Sequence, residues 1–307
     1  MATHPIVIIH GVGDQRPGYS QALQEALAGR LGAAAAALSY HEVYWADIGQ
    51  PVEDALIGKG ILPDHWPGFD LRHPIDSVVE VADRAMHLST DFRRFIFGSI
   101  GDVMIYLTPQ GKAEITGRLK EAILAACAPE FQQGVATPWV TVVAHSLGSV
   151  VMYDVARYFG ATAAGRAEIG SAGLANLFTF GSPLALFSLL EYGQDAAKGV
   201  EAAAQQQLLL GDGSSAKPYT HPYSQRGVPI DLPDGRWLNF YDQQDPFASL
   251  LGNLYPPGED QRSARPIEDI AVQTGTRHAH TYYWQNDEVA DRIADQLKLT
   301  LAAIRPQ

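Results

Sequence analysis

Trp139-Val140-Thr141-Val142-Val143-Ala144-His145-Ser146-Leu147-Gly148-Ser149 is the stretch whose reading decides the fold. Its first five residues are apolar or β-branched and predict a buried strand. Beyond Ser146, the residues Leu147, Val151, Val155 and Tyr158 follow helical spacing, with Val150 beside them. Ser146 therefore stands where a strand turns sharply into a helix, which is the context of a nucleophile elbow. Such a turn presents a serine Oγ at the top of a sheet. It also sets the free N–H groups and the positive dipole end of a helix beneath that oxygen. Ala144 and Gly148 are small enough for strand, turn and helix to approach closely, with alanine standing where an elbow usually has its first glycine.

Moving outward, Pro5 to Ile9 is a continuous apolar run that predicts a buried strand ending in His10-Gly11-Val12-Gly13-Asp14. Leu23, Leu27 and Leu31 predict a helix, and Leu38 to Trp45 a second strand. The chain thus opens β-α-β, the signature of a parallel sheet. A helix with Ile115, Leu119, Ala122, Ile123 and Ala126 on one face leads into the elbow strand. After the elbow, Leu177 to Phe180 and Trp237 to Tyr241 read as strands, and Leu184 to Leu190 begins a helix. Asn286 is an N-cap candidate for a last helix with Val289, Ile293 and Leu297 in line. Two stretches break this rhythm, about 46–108 and about 191–235. They are too long for simple connections and are expected to be insertions that form a cap or pocket walls. The expectation is one α/β domain over 1–307, with a mostly parallel central sheet flanked by helices.

Composition narrows the function classes. The chain has 307 residues, 46% of them apolar, enough for a sizeable core. A net charge of −12 argues against nucleic acid as a partner and against charge-driven attraction to anionic membranes. Cys127 is the only cysteine, which excludes an internal disulfide and zinc-ribbon chemistry. No signal-peptide pattern and no membrane-length apolar run is evident, so a cytoplasmic protein is expected, with peripheral membrane contact left open. No cofactor and no metal are expected.

A serine is a weak nucleophile at neutral pH and needs a base within hydrogen-bond reach, oriented in turn by an acid. The residues offer two choices of each. His278 and His280 both precede the last helix, and Asp242 and Asp245 both follow the Trp237–Tyr241 strand. Asp245 is preferred because it reaches further beyond the strand end, whereas Asp242 is placed to cap the turn. Two N–H groups are needed to stabilise a developing oxyanion. Leu147, just after the serine, and Val12, in the loop after the first strand, are the expected donors. His10 is read as a structural residue of that loop.

Several segments together resemble the lipase/esterase branch of the α/β-hydrolases: Ile6 to Gly13, Ala144 to Ser149 and Phe180-Gly181-Ser182-Pro183. Gly101 to Pro109, Tyr153-Asp154, Tyr241 to Pro246 and His280 to Trp284 are similar to segments of the DDHD-type intracellular phospholipases. The resemblance implies an α/β-hydrolase fold, an Asp-Pro acid and a His-x-x-Tyr-Trp base segment, and so selects His280 over His278. It implies a serine esterase acting on acyl-ester or lipid substrates through an acyl-enzyme. An acyltransferase or thioesterase would use the same three residues, and a non-catalytic binding protein would have no need to keep all three. An apolar wall for an acyl chain is expected from Phe92 to Leu107, Phe95 and Tyr106 among them, with Leu184 and Phe187 opposite.

Overall fold

The computed structural model describes residues 3–13, 15–49, 102–161, 172–188, 228, 230–255, 267–275 and 279–304. Most of both expected insertions, together with Phe95 and His278, lies outside these residues.

Six strands form one sheet in the order β2-β1-β3-β4-β5-β6, every neighbouring pair parallel. They are β1 (His4–Ile9), β2 (Leu38–Val43), β3 (Trp139–His145), β4 (Gly173–Phe180), β5 (Trp237–Tyr241) and β6 (Glu268–Ala271). The long helices are α1 (Gln21–Leu31), α2 (Pro109–Gln132), α3 (Leu147–Ala161) and α4 (Asp287–Ile304). The protein is therefore an α/β fold with a parallel central sheet and flanking helices. Among the described residues, no helix is long and apolar enough to cross a membrane.

A parallel sheet covered on both faces needs strands that are apolar on both faces. β1 and β4 meet this by being buried at every residue. Successive side chains then alternate between two core layers. Val7, Ile9, Val142 and Ala144 pack toward α2 and α3, with Ile115, Leu119, Val151 and Val155. Ile6, Ile8, Val143, Phe178 and Phe240 pack toward α1 and α4, with Leu23, Leu27, Ile293 and Leu297. Each such buried aliphatic side chain stabilises the fold by about 1.5–3 kcal/mol relative to exposure.

The helix ends follow local chemistry. Thr108 caps α2 by accepting a hydrogen bond from Gly111 N–H, and Pro109 occupies the first turn, where its missing N–H costs nothing. Asn286 Oδ1 accepts from Val289 N–H at 3.0 Å and caps α4 as expected. β6 was not anticipated. Its sequence Glu-Asp-Ile-Ala alternates poorly and carries two acids, which suits an exposed sheet edge and removes the apolar signal of a strand.

The sheet order reverses between β1 and β3, because β1 connects through α1 to β2 on one side while β3 begins the series on the other. The carboxyl ends of strands at such a switch point form a natural crevice. The loop after β1 and the turn after β3 both open there.

Candidate functional site

Ser146 is the only non-glycine with positive φ among the described residues, at 53°. A left-handed serine costs on the order of 1–3 kcal/mol and persists only when its surroundings over-determine it. Here they do. Ser146 N–H donates to Phe180 C=O at 3.0 Å, which ties the turn to the end of β4. Its own C=O accepts from Ser149 N–H at 2.9 Å and Ser149 Oγ at 2.6 Å. Ser149 Oγ in turn lies 2.7 Å from Ser182 Oγ in the loop after β4. Two glycines allow the close approach. A Cβ on Gly148 would lie 2.6 Å from His10 O, and one on Gly11 would lie 2.3 Å from Ser146 Cβ. The β1 loop thus lies directly against the serine.

The structure brings together Ser146, His280 and Asp245. His280 Nε2 is 2.8 Å from Ser146 Oγ, and His280 Nδ1 is 2.9 and 2.8 Å from the two carboxylate oxygens of Asp245. The carboxylate can only accept, so Nδ1 carries the hydrogen and Nε2 offers its lone pair to the serine hydroxyl. All three residues are buried, at 3–4% exposure. Burial pushes the Asp245 carboxyl up, but donors from His280, Phe247 N–H and Tyr283 outweigh it and hold the group below the usual carboxylate range.

The alternative acid is occupied elsewhere. Asp242 Oδ1 accepts from Gln244 N–H at 2.8 Å, and Oδ2 accepts from Thr274 N–H and Oγ1 at 2.7 and 2.8 Å. It locks the β5 loop to the segment after β6. Burial raises the Asp242 carboxyl, and these donors overcome that and leave it lowered. Tyr283 links the two acids: its hydroxyl donates to Asp245 Oδ2 at 2.9 Å and accepts from Asp242 N–H at 2.8 Å. Tyr283 carried no expected role; its position three residues after His280 was the available signal.

Two further buried histidines flank the site, and both are held neutral. Burial pushes His145 down to about 3, with His280 nearby adding to the effect. Its Nε2–H donates to His280 C=O at 2.7 Å, which holds the backbone of the base segment. Burial pushes His10 down to about 4. His10 Nδ1–H donates to Gly11 C=O at 2.6 Å, and Nε2 accepts from Trp45 N–H at 3.0 Å, so His10 is a loop anchor, as expected.

Among the described residues, the N–H groups of Val12 and Leu147 donate to no backbone or side-chain acceptor. Leu147 opens α3, so its N–H points out of the helix end. The arrangement offers a hydroxyl, an oriented base and two unpaired donors at the mouth of one crevice. Of the residues expected on the acyl wall, Phe95 lies outside the described residues. Tyr106 is 1% exposed with its hydroxyl donating to Asp154 Oδ2 at 2.6 Å, so it is a buried tether. Leu184 is buried and Phe187 partly buried against the α2–α3 core layer. Comparison with protein-family models and with curated proteins returned no match for this chain.

Proposed function

We propose that the protein is a serine carboxylic-ester hydrolase of the α/β-hydrolase type, acting on lipid-like acyl esters. The observation that carries this reading is the unbroken hydrogen-bonded chain from Ser146 Oγ through the His280 ring to Asp245. Ser146 Oγ attacks the ester carbonyl while its proton passes to His280 Nε2. The carbonyl oxygen becomes an oxyanion held by the N–H groups of Val12 and Leu147. Asp245 stabilises the imidazolium and keeps its orientation. The tetrahedral intermediate collapses, the C–O bond to the alcohol breaks, and the leaving alkoxide takes the proton from Nε2. Water then attacks the acyl-enzyme by the same route, releasing the acid and restoring Ser146.

Apolar groups at the same end of the sheet support an acyl substrate. The Phe247 ring lies 4.9 Å from the His280 ring, edge-on. Leu186, in the helical segment that follows β4, and Leu250, on the loop after β5, are half exposed, and Ser249 N–H donates to Ser182 C=O to hold the two connections together. The resemblance to DDHD-type phospholipases points the same way. Each methylene buried in an acyl site is worth about 0.8 kcal/mol, so medium-chain esters should be preferred over acetate.

The direct test is labelling with a tagged fluorophosphonate. Stoichiometric modification of the wild type, abolished in Ser146→Ala, is the expected result. A folded wild type that takes no label would overturn the reading, as would a Ser146→Ala variant that hydrolyses p-nitrophenyl octanoate at the wild-type rate.

A further inference from the structure

The segment 102–107 is a short helix that packs against the site without contributing to the hydroxyl, base or acid. Its residues Asp102 and Tyr106 are four apart, so they share one helix face. Asp102 is 3% exposed, and its Oδ2 accepts from Gly13 N–H at 2.7 Å. Tyr106 is 1% exposed and donates to Asp154 on α3, the helix that begins just after Ser146. Lys112 pairs with the same Asp154 carboxylate at 2.6 Å, and its Nζ lies 5.6 Å from the Tyr106 ring centroid. One helical turn therefore grips the β1 loop at one end and the elbow helix at the other.

The proposed oxyanion donors come from those two elements: Val12 from the loop and Leu147 from the helix. The loop is pinned before Val12 by His10 Nδ1–H on Gly11 C=O and after it by Asp102 on Gly13 N–H. The Gly13 N–H is thereby taken out of competition, and the peptide planes on both sides of Val12 are fixed. We infer that Asp102 and Tyr106 are positioning residues that set the spacing and aim of the two oxyanion donors. The inference rests on the esterase reading above. A buried hydrogen bond from a backbone N–H to a carboxyl oxygen suits this task because it is short and directional. Preorganised donors act in the transition state, where the charge develops, and hardly on the neutral ground-state ester.

The test compares wild type with Asp102→Ala, Asp102→Asn and Tyr106→Phe. The readouts are kcat and KM on p-nitrophenyl esters, affinity for an alkyl boronic acid that forms a tetrahedral adduct at Ser146, and the pH profile. Removing one oxyanion donor outright costs about 10²–10³ in kcat, so a donor left in place but misaimed should cost on the order of 10–10² in Asp102→Ala. KM and the acidic limb of the profile should stay as in the wild type, and boronate affinity should fall by the same factor as kcat. Asp102→Asn keeps an acceptor for Gly13 N–H and should recover most of that loss. Tyr106→Phe removes only the hydroxyl and should lower kcat and boronate affinity together by several-fold. If Asp102→Ala does not fold, the same comparison is read on the other two variants.

A loss that appears in KM alone, or a fall in kcat with boronate affinity unchanged, overturns the positioning role. So does a Tyr106→Phe variant with wild-type kcat and boronate affinity, or an Asp102→Asn variant that loses as much as Asp102→Ala. These outcomes are distinct from failure of the esterase reading, in which the wild type itself takes no fluorophosphonate.

Discussion

Replacing Asp245 by asparagine changes one oxygen for one NH₂ and leaves the shape almost untouched, so it isolates the electrostatics of the relay. Three donors converge on the Asp245 carboxylate: His280 Nδ1–H, Phe247 N–H and Tyr283 O–H. An amide has one acceptor oxygen and cannot satisfy all three. If that oxygen stays at the Oδ1 position it keeps Phe247 N–H, and the NH₂ then faces the Tyr283 hydroxyl and His280. If it takes the Oδ2 position it keeps Tyr283, and the NH₂ faces Phe247 N–H. In the first case His280 is pressed into the tautomer with hydrogen on Nε2, which cannot accept the serine proton. In both cases the imidazolium loses its counter-charge. The expected loss is up to roughly 10⁴ in kcat, equivalent to about 5.4 kcal/mol of transition-state stabilisation. Mispairing a buried donor should also cost about 1–3 kcal/mol of stability. The assay is p-nitrophenyl ester hydrolysis beside the rate of fluorophosphonate labelling, with a denaturant melt to show that the variant is folded. Asp242→Asn is the control. Its bonds to Gln244 and Thr274 are structural, so it should lose stability and keep most of its activity. A folded Asp245→Asn within about tenfold of wild type, or an Asp242→Asn that loses as much activity, would refute the assignment.

His280→Ala should lower ester hydrolysis about as far as Ser146→Ala, because members of such a relay act as a unit. His278→Ala should leave kcat near the wild-type value; equal damage from the two histidine variants would contradict the reading. Stability should also depend on pH through the buried histidines. His4, His10 and His145 are pushed by burial from 6.5 to about 4, 4 and 3, so the native state leaves them neutral where the unfolded chain protonates them. The unfolded state then binds more protons below pH 6.5, and stability is full above that value and falls as the pH drops toward 4. Each group contributes a slope of up to about 1.4 kcal/mol per pH unit in that window. Urea melts from about pH 7 to about pH 5 should show this loss. A flat profile, or a maximum near pH 5, would rule it out.

The local grammar of the chain was legible because it needs only neighbours. The β-branched run before Ser146, the helical spacing after it and the need for small residues at 144 and 148 are short-range constraints, and so is the Asn286 cap. They sufficed to expect an α/β sheet with a serine at a strand–helix turn. Nothing local tells what the side chains of Asp102 and Tyr283 touch, and Tyr106, expected on an acyl wall, has its hydroxyl on Asp154.

What the tertiary structure decided depends on residues far apart in the chain. Asp242 and Asp245 sit in one loop and are chemically identical. They are told apart only because Thr274 closes over the first and His280 over the second, some 30 residues later. β6 is a strand because β5 supplies a partner for its backbone, not because its side chains ask for one. At the other end of the sheet, Asn176 is fully buried and satisfied by Thr141, Thr300, Gln296 and Arg236 N–H, partners from two other elements and a loop. A polar residue in an apolar strand costs stability unless every hydrogen bond is met. Whether they are met is a property of how β3, β4 and α4 assemble, because hydrogen bonds act over 3 Å in space and not along the sequence.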